Sequence, residues 1–172
     1  MVRVLALVPI AILASAGIAQ GAQAPAQRIA LEVALDGART AVETCKGNGY
    51  NVTAMVMDAN QIPIVVLRNG AGPGTVDVAR RKGYTVLKTG MSSLAFGQSV
   101  NFTPPPPLPP GSPPRPPLVI NGDPNLTPFG GGVALKVGAD AIGALSVSGA
   151  PGGDKDNACA EAGAAKMAGA LK

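Results

Sequence analysis

Between Ile29 and Lys46, apolar Leu31, Leu35, Ala38 and Val42 recur three and four positions apart, while Glu32, Asp36, Arg39 and Glu43 take another face. This period predicts an amphipathic helix, stopped by Gly47-Asn48-Gly49, where glycine favours a left-handed cap. Val52 to Met57 and Ile62 to Leu67 are short apolar runs across the polar turn Asp58 to Gln61, the pattern of a β-hairpin. Pro63 points to an edge or a bulge at the start of the second strand. After the loop Asn69 to Gly74, Thr75 is placed to cap a helix carrying Val76, Ala79, Gly83, Val86 and Leu87. Gly90 ends this helix, and Ser92 to Ser99 can add one or two helical turns. Leu118 to Ile120 is a short apolar piece. Val133 to Lys136 and Ala141 to Ser148 form a second hairpin across Gly138-Ala139-Asp140. Asp154 or Asp156 then caps a last, alanine-rich helix running to Leu171. Hairpins build antiparallel sheet and helices must cover it, so the class is α+β: a layered domain with a central antiparallel sheet and helices packed on it.

Two segments stand outside this pattern. Met1-Val2-Arg3 precedes an apolar run from Val4 to Ala14, followed by small residues up to Ala24. That order is expected of a secretory signal peptide over residues 1–24. Cleavage after Ala16, Ala19, Ala22 or Ala24 would start the mature chain between Gly17 and Gln27, leaving one domain over 27–172. The expected location is periplasmic or secreted, with no stable membrane insertion once the signal is removed. The second segment, 103–117, holds ten prolines between Pro104 and Pro117. It should adopt polyproline II and read as a semi-rigid surface loop.

Composition narrows the chemistry. The chain has 172 residues, 47% hydrophobic and 14% charged, enough apolar content for a packed core. Aromatics make up 3% and Trp is absent, so nucleic-acid binding by base stacking is not expected. The net charge of +4 is too small to identify a polyanion partner. With no histidine, there can be no Ser-His-Asp triad, no Cys-His dyad and no His-ligated zinc or haem iron. No catalytic residue is assigned. In an exported chain Cys45 and Cys159, on the first and last predicted helices, either form one bridge or stay as buried thiols.

Four segments carry a resemblance: Val66-Leu67-Arg68-Asn69-Gly70-Ala71; Val78-Ala79-Arg80-Arg81-Lys82-Gly83-Tyr84-Thr85; Phe129-Gly130-Gly131-Gly132-Val133; and Ile142 to Asp156, continuing into Ala158-Cys159-Ala160 and Gly163. In this order they resemble the GlcG/HbpS family, found also as the C-terminal domain of PduO-type proteins. The resemblance implies an antiparallel sheet with helices on both sides, assembly into homo-oligomers, and haem or a related tetrapyrrole as ligand. It extends in some members to haem degradation or redox sensing, and in others to organic-acid or corrinoid metabolism. The expected function is therefore an exported, non-enzymatic small-ligand-binding protein. Two alternatives stand beside it: an enzyme or accessory factor of small organic-acid metabolism, and a sensory or structural protein-binding partner.

Any haem iron here needs a non-His ligand. The inventory is Tyr50, Tyr84, Cys45, Cys159 and five methionines. Met55 and Met57 share one face of a strand and belong to the core. Tyr84 is the first candidate, because a cationic neighbourhood favours its phenolate. Arg80 and Arg81 lie four and three residues before it and share its face, whereas Lys82 does not. Arg80, Arg81 and Lys82 are candidates for haem propionates. Arg68, Gly131, Gly132 and Gly149 complete the candidate ligand-binding set, since glycine loops let backbone approach a ligand closely. Asp58, Asp154 and Asp156 offer oxygen ligands for a hard cation, though without the spacing of a known metal loop.

Overall fold

The computed structural model describes residues 29–106, 108–113, 115–116 and 118–171. The expected signal segment and its cleavage window lie outside these residues. Eight elements follow one another: α1 (Leu31–Gly47), β1 (Thr53–Asp58), β2 (Pro63–Arg68), α2 (Gly74–Thr89), α3 (Ser93–Ser99), β3 (Gly132–Val137), β4 (Asp140–Ser148) and α4 (Gly153–Ala168). The strands form one antiparallel sheet in the order β2-β1-β4-β3. Sheet and helices together make the α+β class expected from the two hairpins. Pro63 lies on the edge strand β2, opposite Met57, where the register shifts. Both features suit a residue without an N–H.

Strand alternation sorts the core into two faces. Ala54, Val56, Leu145 and Val147 point to one face and pack with Ala34, Ala38, Ala41 and Cys45 of α1 and Cys159, Ala160 and Met167 of α4. Met55, Met57 and Ala144 point to the other and meet Ala79 and Val86 of α2. The α1–α4 crossing is close because small residues meet there. A Cβ on Gly163 would lie 2.6 Å from the Gly37 carbonyl oxygen and 3.0 Å from the Ala41 Cβ. One turn away, Cys45 and Cys159 are joined by a disulfide, with their Cα atoms 5.6 Å apart.

Two capping expectations are corrected. The N-cap of α2 is Pro73; Thr75 sits inside the first turn, and its hydroxyl bonds the Gly72 carbonyl and the Thr53 hydroxyl. Helix α4 has Gly152 as N-cap, with no side-chain cap. Asp156 is turned inward instead, because a buried cation from α2 waits there.

Candidate ligand-binding cleft

The starts of β1 and β3 and the ends of β2 and β4 lie at the same end of the sheet, since Thr53 pairs with Arg68 and Ser148, and Gly132 with Ser146. The loops 69–73, 129–131 and 149–152 therefore converge at this end. The last two touch through glycine: a Cβ on Gly130 would lie 2.7 Å from the Gly153 carbonyl oxygen. Gly131, at φ +121°, and Gly132 leave room for Lys82. A Cβ on Gly131 would come within 2.9 Å of the Lys82 Nζ, and one on Gly132 within 2.7 Å of the Lys82 carbonyl oxygen. These glycines thus serve the passage of one side chain from α2 past the start of β3 toward α4.

Lys82 is 2% exposed. Its Nζ donates to Asp156 Oδ2 at 2.6 Å and to the Val147 carbonyl at 2.8 Å. Asp156 is 4% exposed, and its Oδ1 accepts from the Ala150 N–H at 2.9 Å. Burial pulls the Lys82 amine below the ordinary lysine range and pushes the Asp156 carboxyl above the ordinary carboxylate range; in each case the partner's charge opposes the shift. This ion pair joins the layer on one face of the sheet to the layer on the other.

The pair lines a cleft of 410 Å³, walled by Val78, Pro104, Phe129, Ala150 and the backbone of Gly149, Gly152 and Gly153. A second lobe of 250 Å³ shares Pro104, Phe129, Gly152 and Gly153, and extends over Leu94, Phe102 and Pro128. Phe102 and Phe129 pack edge to face, with ring centroids 4.9 Å apart. The first proline of the 103–117 segment, Pro104, therefore forms part of the wall of both lobes. That segment is part of the site at its near end, beyond the plain surface loop expected.

Of the sequence candidates, Lys82 and Gly149 line the cleft, and Gly131 and Gly132 stand behind it. The others are engaged elsewhere. Arg68 donates to the Ala71 carbonyl. Arg80 binds Asp77 and Asn125, and Arg81 donates to the carbonyls of Leu118 and Leu126. The Tyr84 hydroxyl donates to Asp123 Oδ2 at 2.7 Å. That hydrogen bond, ahead of burial, raises the Tyr84 pKa above its ordinary value. This corrects the expectation of a cation-stabilised phenolate: the nearest charge is a carboxylate. Arg80, Arg81 and Tyr84 together pin residues 118–126 to α2 as the chain returns from the proline segment. Sequence reading missed Val78, Pro104, Phe129 and the inward role of Asp156. A signal for the burial of Lys82, though not for its partner, existed, because Lys82 falls within the apolar stripe of Ala79, Gly83 and Val86. Among the described residues, no group of three His, Cys, Asp or Glu side chains could hold a metal ion, and no helix is long and apolar enough to cross a membrane.

A family model described as haem degrading protein HbpS-like matches residues 29–165. The solved structure of HbpS superposes with a TM-score of 0.69 at 28% identity, covering 84% of this chain and 94% of that one. A double mutant of HbpS from Streptomyces reticuli gives 0.69 at 27%, covering 93% and 97%. A PduOC:heme complex gives 0.62 at 20%, covering 80% and 94%, a likeness of fold. No curated protein matches. The chain belongs to the HbpS-like family.

Proposed function

We propose that this HbpS-like chain is an exported binding protein that takes a tetrapyrrole such as haem in the cleft at the glycine-loop end of the sheet. The observation that carries the reading is the family match over 29–165, with a two-lobed apolar cleft where the family's glycine motifs converge. The walls suit a flat, largely apolar ligand: Val78, Pro104 and Phe129 offer surface rather than charge.

The donor set does not suit side-chain ligation of iron. The chain has no histidine, and both cysteines are bridged. Among the described residues, neither lobe is lined by Tyr, Met or Cys. The Lys82 amine is held by Asp156 and Val147. Binding would therefore rest on contacts of the macrocycle with the walls, which would supply no Tyr, Met or Cys side chain to an iron from the described residues. Titration of the protein with haemin and with metal-free protoporphyrin IX tests this. Both should bind saturably with affinities within about tenfold of each other, since the iron adds no protein bond. Absence of saturable binding by either would overturn the reading.

Export rests on the order of charge, apolar run and small residues in 1–24, and the Cys45–Cys159 bridge suits an oxidising compartment. Intact mass of the protein from an exporting host should place its N-terminus between Gly17 and Gln27. Assembly into a homo-oligomer, which the family resemblance supports, is read from the native mass of the same sample.

A further inference from the structure

We propose that Lys82 is a reactive amine, which condenses with a small neutral aldehyde bearing an apolar tail to form a protonated imine paired with Asp156. The inference does not rest on tetrapyrrole binding. It rests on the placement of the ion pair. A buried Lys–Asp pair contributes little net stability over apolar residues of the same shape, yet here it lines a cleft open enough for a ligand. An ammonium has three donors. Two point at Asp156 Oδ2 and the Val147 carbonyl, at 2.6 and 2.8 Å, and the third has no partner among the described residues. The base that takes a proton from the ammonium, the Asp156 carboxylate, is therefore already in hydrogen-bond contact, as amine nucleophiles require.

The steps balance within the pair and the aldehyde. Asp156 takes one proton from the Lys82 ammonium, leaving a neutral amine. The amine nitrogen attacks the carbonyl carbon; the C=O π pair moves to oxygen, which takes the proton back from Asp156. The nitrogen of the resulting adduct gives a second proton to Asp156. The hydroxyl takes that proton and leaves as water, while the nitrogen lone pair forms C=N. The product is an iminium facing the Asp156 carboxylate, with the same charges as at the start.

The lining selects the ligand class. Among the described residues, Lys82 and Asp156 are the only charged residues on the 410 Å³ lobe and balance each other, while the adjoining lobe adds Asp154. Among the described residues no unpaired cation is left for a ligand carboxylate, and the other lining side chains are apolar apart from Ser148 and, in the adjoining lobe, Gln98 and Asp154. A neutral aldehyde fits, and an oxo acid does not.

The test treats the full-length, ligand-free wild-type protein at pH 7 with benzaldehyde and sodium cyanoborohydride, which reduces an iminium to a stable secondary amine. Peptide mass mapping follows the rate at each lysine, with exposed Lys46 and Lys155 as internal references. Lys82 should label at least about tenfold faster than either. It should also label faster with benzaldehyde than with 4-carboxybenzaldehyde, while Lys46 does not discriminate. Labelling of Lys82 no faster than Lys46 would overturn the proposal, and loss of discrimination would overturn the ligand class. The reading uses wild-type protein, so it does not depend on whether a Lys82 variant folds. Haemin binding is scored separately, so either idea can fail alone.

Discussion

The two faces of the sheet are held by different physics. On the α1–α4 face, contact is made by Ala34, Ala38, Ala41 and Ala160, by the Gly37–Gly163 approach and by one disulfide. Among the described residues its one buried charge is Asp156, in the first turn of α4, which turns across to Lys82 of the other layer. On the α2 face, the apolar contact is smaller, limited to Met55, Met57, Ala79, Val86 and Ala144. Polar bonds from the same helix add to it: Lys82 to Asp156, Thr85 to the Thr127 backbone, Arg81 to two carbonyls and Tyr84 to Asp123. Dispersion and burial are non-directional and make a tight seam. Buried hydrogen bonds are directional, and each depends on its partner. The cleft lies beside the polar helix because only there does the packing leave functional groups at a surface with space above it.

Breaking the ion pair should give the largest effect. Asp156→Ala leaves Lys82 buried without its counter-charge and should cost about 3–5 kcal/mol in urea unfolding. Lys82→Met with Asp156→Leu should recover most of that loss. A double variant as unstable as the single one would mean that the pair is needed for more than mutual compensation. The pH profile sharpens the same point. Burial raises the Asp156 pKa, so between about pH 4 and the raised value the native state binds more protons than the unfolded chain, and stability falls as pH rises. Burial lowers the Lys82 pKa, so between the lowered value and about pH 10.4 the native state binds fewer, and stability rises with pH. Both slopes should flatten in the double variant.

The opposite face should respond next. The Cys45–Cys159 bridge closes a separation of 114 residues, so replacing both cysteines with alanine should lower stability by about 2–5 kcal/mol. Haemin and protoporphyrin affinity should change little, since neither cysteine lines the cleft. A large loss of binding at temperatures where the variant is folded would show that the two faces are coupled.

Tyr84→Phe should have the smallest effect. It removes one solvent-accessible hydrogen bond to Asp123, which water can replace, and should leave the urea unfolding midpoint nearly unchanged. Any spectrum of bound haemin should be unchanged, because Tyr84 lies outside both lobes. A changed spectrum would return the tyrosine to the list of iron ligands.

The order and type of the elements, the edge position of Pro63 and the core role of Met55 and Met57 were legible from the sequence, because period and turn chemistry are local. Absence of histidine likewise excluded whole chemistries without coordinates. The site was only partly legible. Arg80, Arg81 and Tyr84 read as a ligand-facing basic cluster, yet their partners are Asp77, Asp123, Asn125 and the carbonyls of Leu118 and Leu126, up to 45 residues away. Lys82 and Asp156 are 74 residues apart, and no local pattern states that two such groups share a buried position. The glycines of Phe129-Gly130-Gly131-Gly132 were visible as a motif, but their reason is the width of the Lys82 passage and the Gly130–Gly153 contact. Hydrophobic periodicity located the buried face of α2, but on α1 the expected stripe of Leu31, Leu35, Ala38 and Val42 leaves Leu31 54% exposed. The buried face there is Ala34, Gly37, Ala38, Ala41 and Cys45, because the close approach to α4 takes small residues. Tertiary structure alone decided which polar groups meet in the interior, because a charge is buried only where a distant segment supplies its partner.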